Sequence, residues 1–426
     1  MKPLYIYNLF PRLYKNAKEW EKNITKISNM GFNCIYLNPF HYPGFSGSLY
    51  APKDYYEYHP LFFSKVKSPD EQLKDFIDAC KEKNIDVFMD LVVNHTSIDC
   101  PLIKDHKEWY VLGEDGDVKR PGAWENGHYI TWGDLATFNL DTSPDREGLW
   151  NYLLNMCLHY LKMGFKGFRC DAAYQVPNEF WVFLISKIKS EFPETVFLAE
   201  TLGCMPVQIQ VLSKCGFDYI FNSSKWWNFN DSWCLEQYSL TRNIAPSVSF
   251  PETHDTPRLF EEVGKNEIAF LQRLYFEAIF SQGFMIITGF EYGFTKKVNV
   301  VDSKPEDWED TGRDYTKKIK NILAIKNALK PLHEESRIEI IDQSNWMNIF
   351  CFVKEWEGER VLLLLNKDIN NCQKIYLENI EAILRDTKIK DFSPEERTNN
   401  FVKTIDITLR PGELKIFAPE KNYKTK

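Results

Sequence analysis

At 426 residues, with 44% hydrophobic side chains, the chain is long enough for one large domain plus a smaller one, with a full apolar core. Its formal net charge of −8, with Lys and Arg spread along the chain, argues against a nucleic-acid partner, whose phosphates need a basic face. The longest aliphatic run, Val361 to Leu365, is far too short to cross a bilayer.

Leu4 to Phe10 runs straight into a strand-like pattern with no basic and then apolar leader before it, so the reading is a cytoplasmic protein without a signal peptide. Ten cysteines carry no CxxC pair and no metal-like spacing. Cys34, Cys80, Cys157 and Cys170 fall in predicted core elements and read as reduced, buried thiols.

Strand and helix patterns alternate from the first residues to about residue 330. Strands are predicted over 4–9, 33–38, 86–93, 166–171, 195–200, 217–221, 247–251 and 284–288. Helices are predicted over 16–30, 70–84, 145–164, 178–192, 205–214, 228–242, 265–282 and 313–330. Asp70, after Ser68 and Pro69, marks a helix start, while Gly31 and Gly164 mark helix stops. Eight strand–helix units in sequence predict a closed parallel (β/α)8 TIM barrel in the α/β class.

The interval between His95 and Asp145 is too long for a plain loop and is rich in Asp, Gly, Trp and Pro, so it reads as a small inserted domain. After Pro331 the segments Asn348–Trp356, Arg360–Leu365, Gln373–Leu377 and Thr404–Leu409 favour strands. The division is therefore a barrel over 1–95 and 146–332, an insertion over 96–145, and an antiparallel, sandwich-like β domain over 333–426.

Barrels of this kind carry their chemistry at the C-terminal ends of the strands. The third strand ends in Asp90, Asn94 and His95, and the fourth in Arg169-Cys170-Asp171. Glu200 ends the fifth, and Glu252-Thr253-His254-Asp255 ends the seventh. Side chains alternate along a strand, so Arg169 and Asp171 face the same way, and the guanidinium keeps the carboxylate ionised. Asp171, Glu200 and Asp255 would thus converge on one cavity flanked by His95, His254 and Arg169. Two carboxyls about 5–5.5 Å apart suit retaining glycosidic-bond chemistry, one attacking the anomeric carbon and one protonating the leaving oxygen. A third carboxylate stabilises positive charge on the ring, and imidazoles donate to sugar hydroxyls. The bland alternative, in which each acid merely caps a helix or pairs with a base, fails to explain four such strand ends in one order.

These four strand ends resemble, in order and spacing, the four signature regions of the α-amylase superfamily of barrel glycoside hydrolases and transglycosylases. The likeness covers nearly the whole chain, with the insertion resembling that family's domain B and the tail its C-terminal domain. By that resemblance Asp171 is the nucleophile, Glu200 the general acid/base and Asp255 the transition-state stabiliser. Arg169, His95 and His254 orient the nucleophile or bind the first donor sugar, and Tyr50 stacks under that sugar. Asp90 is a structural acid supporting Arg169, and Asn94 matches one ligand of the family's calcium.

Tyr174 and Gln175 stand where α-amylases carry an acceptor-binding Lys and a calcium-binding His, and Thr253 stands where Asn is common. The expectation is therefore no cofactor, no metal and no calcium, and a weaker case for ordinary starch endo-hydrolysis. Gly113 to Trp132 and the Trp226-Trp227 pair also resemble the bacterial maltosyltransferase branch, which transfers maltosyl units from a sugar phosphate. The implied activity is cleavage or transfer of α-1,4-linked glucosides, maltodextrin or glycogen, through a glycosyl-aspartate. The alternatives are maltosyl or glucan transfer from a sugar phosphate or oligosaccharide, and a non-catalytic carbohydrate-binding scaffold.

Other residues weigh less. Trp109, Trp124, Tyr129 and Trp132 read as the insertion's own small core rather than as sugar platforms. Trp226 and Trp227 follow the sixth strand at the active face and are candidates for stacking on substrate. His41 would line the pocket mouth, whereas His59, His106, His128, His159 and His333 read as bystanders.

Overall fold

The computed structural model describes residues 3–125, 128–342, 345–398 and 400–423. Eight parallel strands close into a barrel, here β1 (Tyr5–Leu9), β2 (Cys34–Leu37), β3 (Asp86–Leu91) and β4 (Gly167–Cys170), followed by β5 (Val196–Ala199), β6 (Tyr219–Phe221), β7 (Ser247–Ser249) and β8 (Gly283–Ile287). Each pairs with its neighbours in sequence, and β8 closes onto β1 through Tyr5 opposite Phe284 and Asn8 opposite Ile287. All eight predicted strands are present. Most are shorter than predicted by one or two residues, taken from one end or both.

The helices on the outer ring follow local rules. Ser68 caps Pro69–Glu82 in a capping box with Glu71, so the start lies at Ser68 rather than at Asp70. Gly31 and Gly164 end their helices at φ of 101° and 125°, backbone that favours glycine. The seventh-strand helix runs Glu267–Phe280, and Trp233–Thr241 starts five residues later than the pattern suggested.

The insertion is built from short antiparallel pieces. His95–Ser97 pairs with Leu135–Thr137, and Gly122–Glu125 pairs with His128–Thr131. A further hairpin, His41–Pro43 with Pro52–Tyr58, follows β2 and carries Tyr50 in its connection. At Gly44 in that connection an added Cβ would collide with the side chains of Ser97 and Asp99, so the close approach favours glycine.

The C-terminal part holds a five-stranded antiparallel sheet in the order 337–342, 349–356, 359–366, 414–419, 389–391. A two-stranded sheet, Gln373–Leu377 with Ile405–Leu409, accompanies it. Alternation along the strands gives the larger sheet two apolar faces. Phe350, Phe352, Val361, Leu363 and Leu365 join the core shared with the barrel. Ile349, Cys351, Val353, Leu362 and Leu364 pack with Ile375, Leu377, Ile405 and Leu409 of the smaller sheet. Each such buried Leu or Phe stabilises by about 1.5–3 kcal/mol.

Lys354, on the barrel-facing side, donates Nζ to the carbonyls of Ile279 (2.9 Å) and Phe280 (2.8 Å), and Lys326 donates to Ala278 and Ser281 at 2.6 Å each. Two buried lysine Nζ groups thus satisfy the orphan carbonyls at one helix end, one of them reaching from the C-terminal sheet. Burial draws the Lys354 group down to about 8.

His41 does not line the pocket mouth. It is buried between Phe40, Tyr55 and Tyr160, and neither ring nitrogen has a hydrogen-bond partner. Burial drives it down to about 3, so the ring stays neutral. A buried unsatisfied polar group costs about 1–3 kcal/mol. His41→Phe is therefore expected to raise the melting temperature in a thermal scan, whereas a clear fall would show that the imidazole contributes a bond to the fold.

Candidate active site

The parallel register between β4 and β5 places the two central acids. Cys170 lies opposite Ala199, and the ladder continues one residue further, with the Glu200 amide donating to the Cys170 carbonyl at 3.0 Å. On the other side the Asp171 amide donates to the Leu91 carbonyl at 3.1 Å. Asp171 and Glu200 therefore stand at the same level on adjacent strand ends. Neighbouring strands lie about 4.8 Å apart, close to the spacing that retaining glycosidases use between their carboxyls. Both line one cavity of about 580 Å³, together with Asp255, Tyr50, His95, Arg169, His254 and Trp226.

Arg169 ties the acids together. It is buried and its Nη1 donates to Asp171 Oδ1 at 2.6 Å and to Asp90 Oδ1 and Oδ2 at 2.9 and 3.1 Å. Asp90 is fully buried and also accepts from the Tyr36 hydroxyl at 2.6 Å and the Tyr50 hydroxyl at 2.5 Å. It thus sits behind Arg169 and braces both the arginine and the tyrosine that faces the cavity. Tyr50 is further held by Asn38 Nδ2 at 2.9 Å, and its ring stacks on His254 at 5.2 Å between centroids. Asn38 in turn accepts from Asn8 Nδ2 at 2.8 Å, so a polar chain crosses the barrel mouth from β1 to Asp171.

Burial pushes the Asp171 carboxyl up, and the Arg169 guanidinium pulls it back down. Glu200 is pushed up to about 7, mainly by burial and further by the charges of Asp171 and Asp255, against the pull of Arg169. Its two oxygens accept from the Ala172 amide (2.8 Å) and the Leu202 amide (3.0 Å). Ala172 turns that amide toward Glu200 by adopting left-handed backbone, φ 40° and ψ 45°, which costs energy in a residue with a Cβ. Both carboxyls are thus raised by burial, but Asp171 has a direct bond to the guanidinium, whereas Arg169 Nη2 is 4.0 Å from Glu200 Oε2 and the neighbouring acids push Glu200 further up.

His254 and Asp255 come from the loop after β7, where His254 Nε2 lies 2.8 Å from the Tyr50 hydroxyl and 3.1 Å from Asp255 Oδ2. Glu252, one of the predicted strand-end acids, does not reach the cavity. It pairs with the buried Arg258 at 2.7 Å and accepts the Leu259 amide, which fixes the loop's base. His95 Nε2 bonds the Tyr50 carbonyl at 2.8 Å, and burial pulls the ring down to about 4, so it is neutral.

Two tryptophan expectations are corrected. Trp226 lines the cavity and is half exposed, but Trp227 is fully buried against Phe229, Phe276 and Phe350 and does not reach the site. Trp226 closes the turn Ser224–Trp226 and Trp227 is the extended residue after it, so the two rings leave the backbone in different directions. Trp132, read as insertion core, instead lines the cavity, its ring 6.4 Å from His95. Trp109 is core as expected, Tyr129 is half exposed, and the Trp124 side chain lies outside the described residues. Asp134, Ser48 and Leu202 also line the cavity and were not singled out from the sequence. Asn8, Tyr36 and Asn38 carried the same signal as the acids, being polar residues at the ends of barrel strands.

Asn94 lies beside Gln175, its Nδ2 donating to Gln175 Oε1 at 3.1 Å. The two amides satisfy each other at the position where the resemblance would place a calcium. Among the described residues a separate trio of groups, His106, Glu108 and Asp145, lies close enough for shared ligation. That trio has other work: Asp145 caps a helix through the Gly148 amide and accepts from Trp109 Nε1, and His106 stacks on Trp109.

A closed parallel barrel with acids at the ends of its fourth, fifth and seventh strands, an insertion after the third and a β tail gives this chain the fold of solved α-amylases, and its sequence is similar to proteins of the α-amylase superfamily. Residues 1–111 match the family model for the glucanotransferase domain of glycogen debranching enzyme. Over 87% of its length the chain is 26% identical to α-1,4-glucan:maltose-1-phosphate maltosyltransferase of Picrophilus torridus, and over 84% it is 25% identical to the Myxococcus xanthus enzyme of that name. It spans 61% and 58% of those two proteins. Alpha-amylase 2 of Dictyoglomus thermophilum is 23% identical over 90% of the chain and is itself covered to 68%. Among solved structures, an Anoxybacillus α-amylase superposes with a TM-score of 0.80 at 16% identity, covering 100% of this chain and 98% of that one. A maltogenic α-amylase from Thermotoga neapolitana superposes at 0.75 and 20% identity, covering 98% and 96%. No helix among the described residues is long and apolar enough to cross a membrane.

Proposed function

We propose that the chain is a retaining enzyme that cleaves or transfers α-1,4-linked glucosyl units. The observation that carries this reading is the placement of Asp171 and Glu200 on adjacent strand ends in one cavity, Asp171 bonded directly to Arg169 and Glu200 pushed up to about 7. An Asp171 oxygen attacks the anomeric carbon as the bond to the leaving oxygen breaks, and Glu200 gives that oxygen its proton. The glycosyl-Asp171 ester then opens when Glu200, now ionised, takes a proton from water or from a sugar hydroxyl that attacks the same carbon. Asp255 opposes the positive charge that develops on the ring, while Tyr50, His95 and His254 hold the sugar. Trp132 and Trp226 offer flat faces for the neighbouring rings.

The acids that a carbohydrate-binding scaffold would have no need to keep all line an open cavity, which supports an enzyme over a scaffold. Two measurements on maltoheptaose test the reading: the anomeric configuration of the first product by NMR, and mass spectrometry after a slow fluorinated glycosyl donor. Retained α configuration and a glycosyl adduct on the peptide bearing Asp171 are expected. Inverted product, or an adduct elsewhere, would refute it.

A second reading is maltosyl transfer from maltose 1-phosphate, favoured by the names of the maltosyltransferase relatives.

The amide pair Asn94–Gln175 supports a fold that does not depend on calcium. Addition of a chelator is expected to leave the melting temperature unchanged, and a fall of several degrees would contradict it.

A further inference from the structure

We infer that the leaving-group side of this cavity is built for an uncharged glucan chain, which runs out across Tyr174 and Gln175 into an adjoining groove, and that it excludes a glycosyl phosphate. The inference rests on Asp171 and Glu200 being the cleaving pair, and it decides between the two readings above.

The first argument is charge. Asp134, Asp171, Glu200 and Asp255 line the cavity, against one lining cation among the described residues, Arg169. That guanidinium is already bonded to both Asp90 and Asp171. A phosphate leaving group would bring up to two further negative charges beside Glu200, and among the described residues the lining offers them no second cation; Lys297, whose charge reaches His254, lies outside that lining. Tyr174 and Gln175, which form this wall, are neutral, since burial lifts the Tyr174 phenol to about 12. A sugar hydroxyl, by contrast, needs only hydrogen-bond partners.

The second argument is continuity. Tyr174 and Gln175 line the cavity and also a second groove of about 620 Å³. That groove lies between the segment bearing Asn178 and Glu179 and the helix Pro206–Ser213. Val207 and Val211, one helical turn apart, are 60% and 44% exposed, and Gln208 stands between them. A shelf of methyl groups flanked by amides matches a glucosyl chain, which offers apolar ring faces edged with hydroxyls. The groove's charged lining groups, Asp141 and Glu179, are again acidic.

The test uses the full chain with maltotriose, maltoheptaose and maltose 1-phosphate as donors and glycogen as acceptor, reading product length and phosphate release. Expected are a kcat/KM for maltoheptaose at least tenfold above that for maltotriose, and turnover of maltose 1-phosphate below about a hundredth of the maltoheptaose rate. Val211→Arg, at an exposed position, should reduce the maltoheptaose-to-maltotriose ratio several-fold. Phosphate release at a rate matching oligosaccharide cleavage would overturn the inference, as would a ratio near one that the substitution leaves unmoved. Titration of thio-linked maltotriose and maltoheptaose, and of a phosphonate analogue of maltose 1-phosphate, reads the same preference without cleavage. A protein that ranks these ligands as expected yet cleaves none of the donors would refute the cleavage reading and leave the groove standing. One that binds the phosphonate as tightly as the neutral chain would refute the inference alone.

Discussion

Asp171→Asn is expected to lower kcat by roughly three orders of magnitude or more while leaving the folded structure intact. The amide keeps the size of the carboxylate and one oxygen for Arg169, and Arg169 retains its two bonds to the buried Asp90. The barrel mouth therefore loses a nucleophile and not its frame. Release of reducing ends from maltoheptaose, together with circular dichroism and a thermal scan, checks both halves of the prediction. A near-normal rate in the variant would remove Asp171 from the nucleophile's role.

Glu200→Gln should cut turnover of ordinary glucans by about two to four orders of magnitude, and far less for a donor whose leaving group needs no proton. The pH dependence carries the sharper information. With Glu200 pushed up to about 7, the protonated form that can act as an acid is lost as pH rises through that value. Wild-type kcat/KM should accordingly fall about tenfold per pH unit above it, and the variant should show no such limb with an activated donor.

The same shift predicts a change in stability. A carboxyl whose value is raised from 4.5 to about 7 on folding is protonated in both states at pH 4, so it then costs nothing. Between those values the folded form binds the extra proton, and stability falls as pH rises, by about 3 kcal/mol once pH passes 7. Gln escapes that cost, so the variant should melt higher than wild type at pH 8 and alike at pH 4. Equal melting at both would show that Glu200 ionises freely in the fold.

Much of the barrel was legible because its signals are local. Eight short apolar runs alternating with amphipathic segments predict β1 to β8, and Ser68, Gly31 and Gly164 punctuate the helices through capping and positive φ. The acids were legible for a related reason, since a carboxylate at the end of an apolar strand is rare and the barrel brings such ends to one mouth. What stayed hidden depended on which side of a turn faces inward. Trp226 and Trp227 are identical in type and adjacent, yet one lines the cavity and the other packs on Phe276 and Phe350. Trp132 reaches the cavity beside His95 across a fold of the insertion that has no periodicity to read. His41 looked like a pocket residue, but the hairpin after β2 turns it into an aromatic cage.

The amino-acid order thus determined, without help, the succession of strands and helices and the identity of the acids, because hydrophobic period and strand-end polarity act over a few residues. The raised Glu200 beside the Arg169-bonded Asp171, the hydrogen bond from Asn94 to Gln175, and the two cavities that share Tyr174 were decided by tertiary structure alone. Desolvation and electrostatic coupling depend on which groups distant in the chain end up within a few ångströms of one another, and only closure of the barrel sets that.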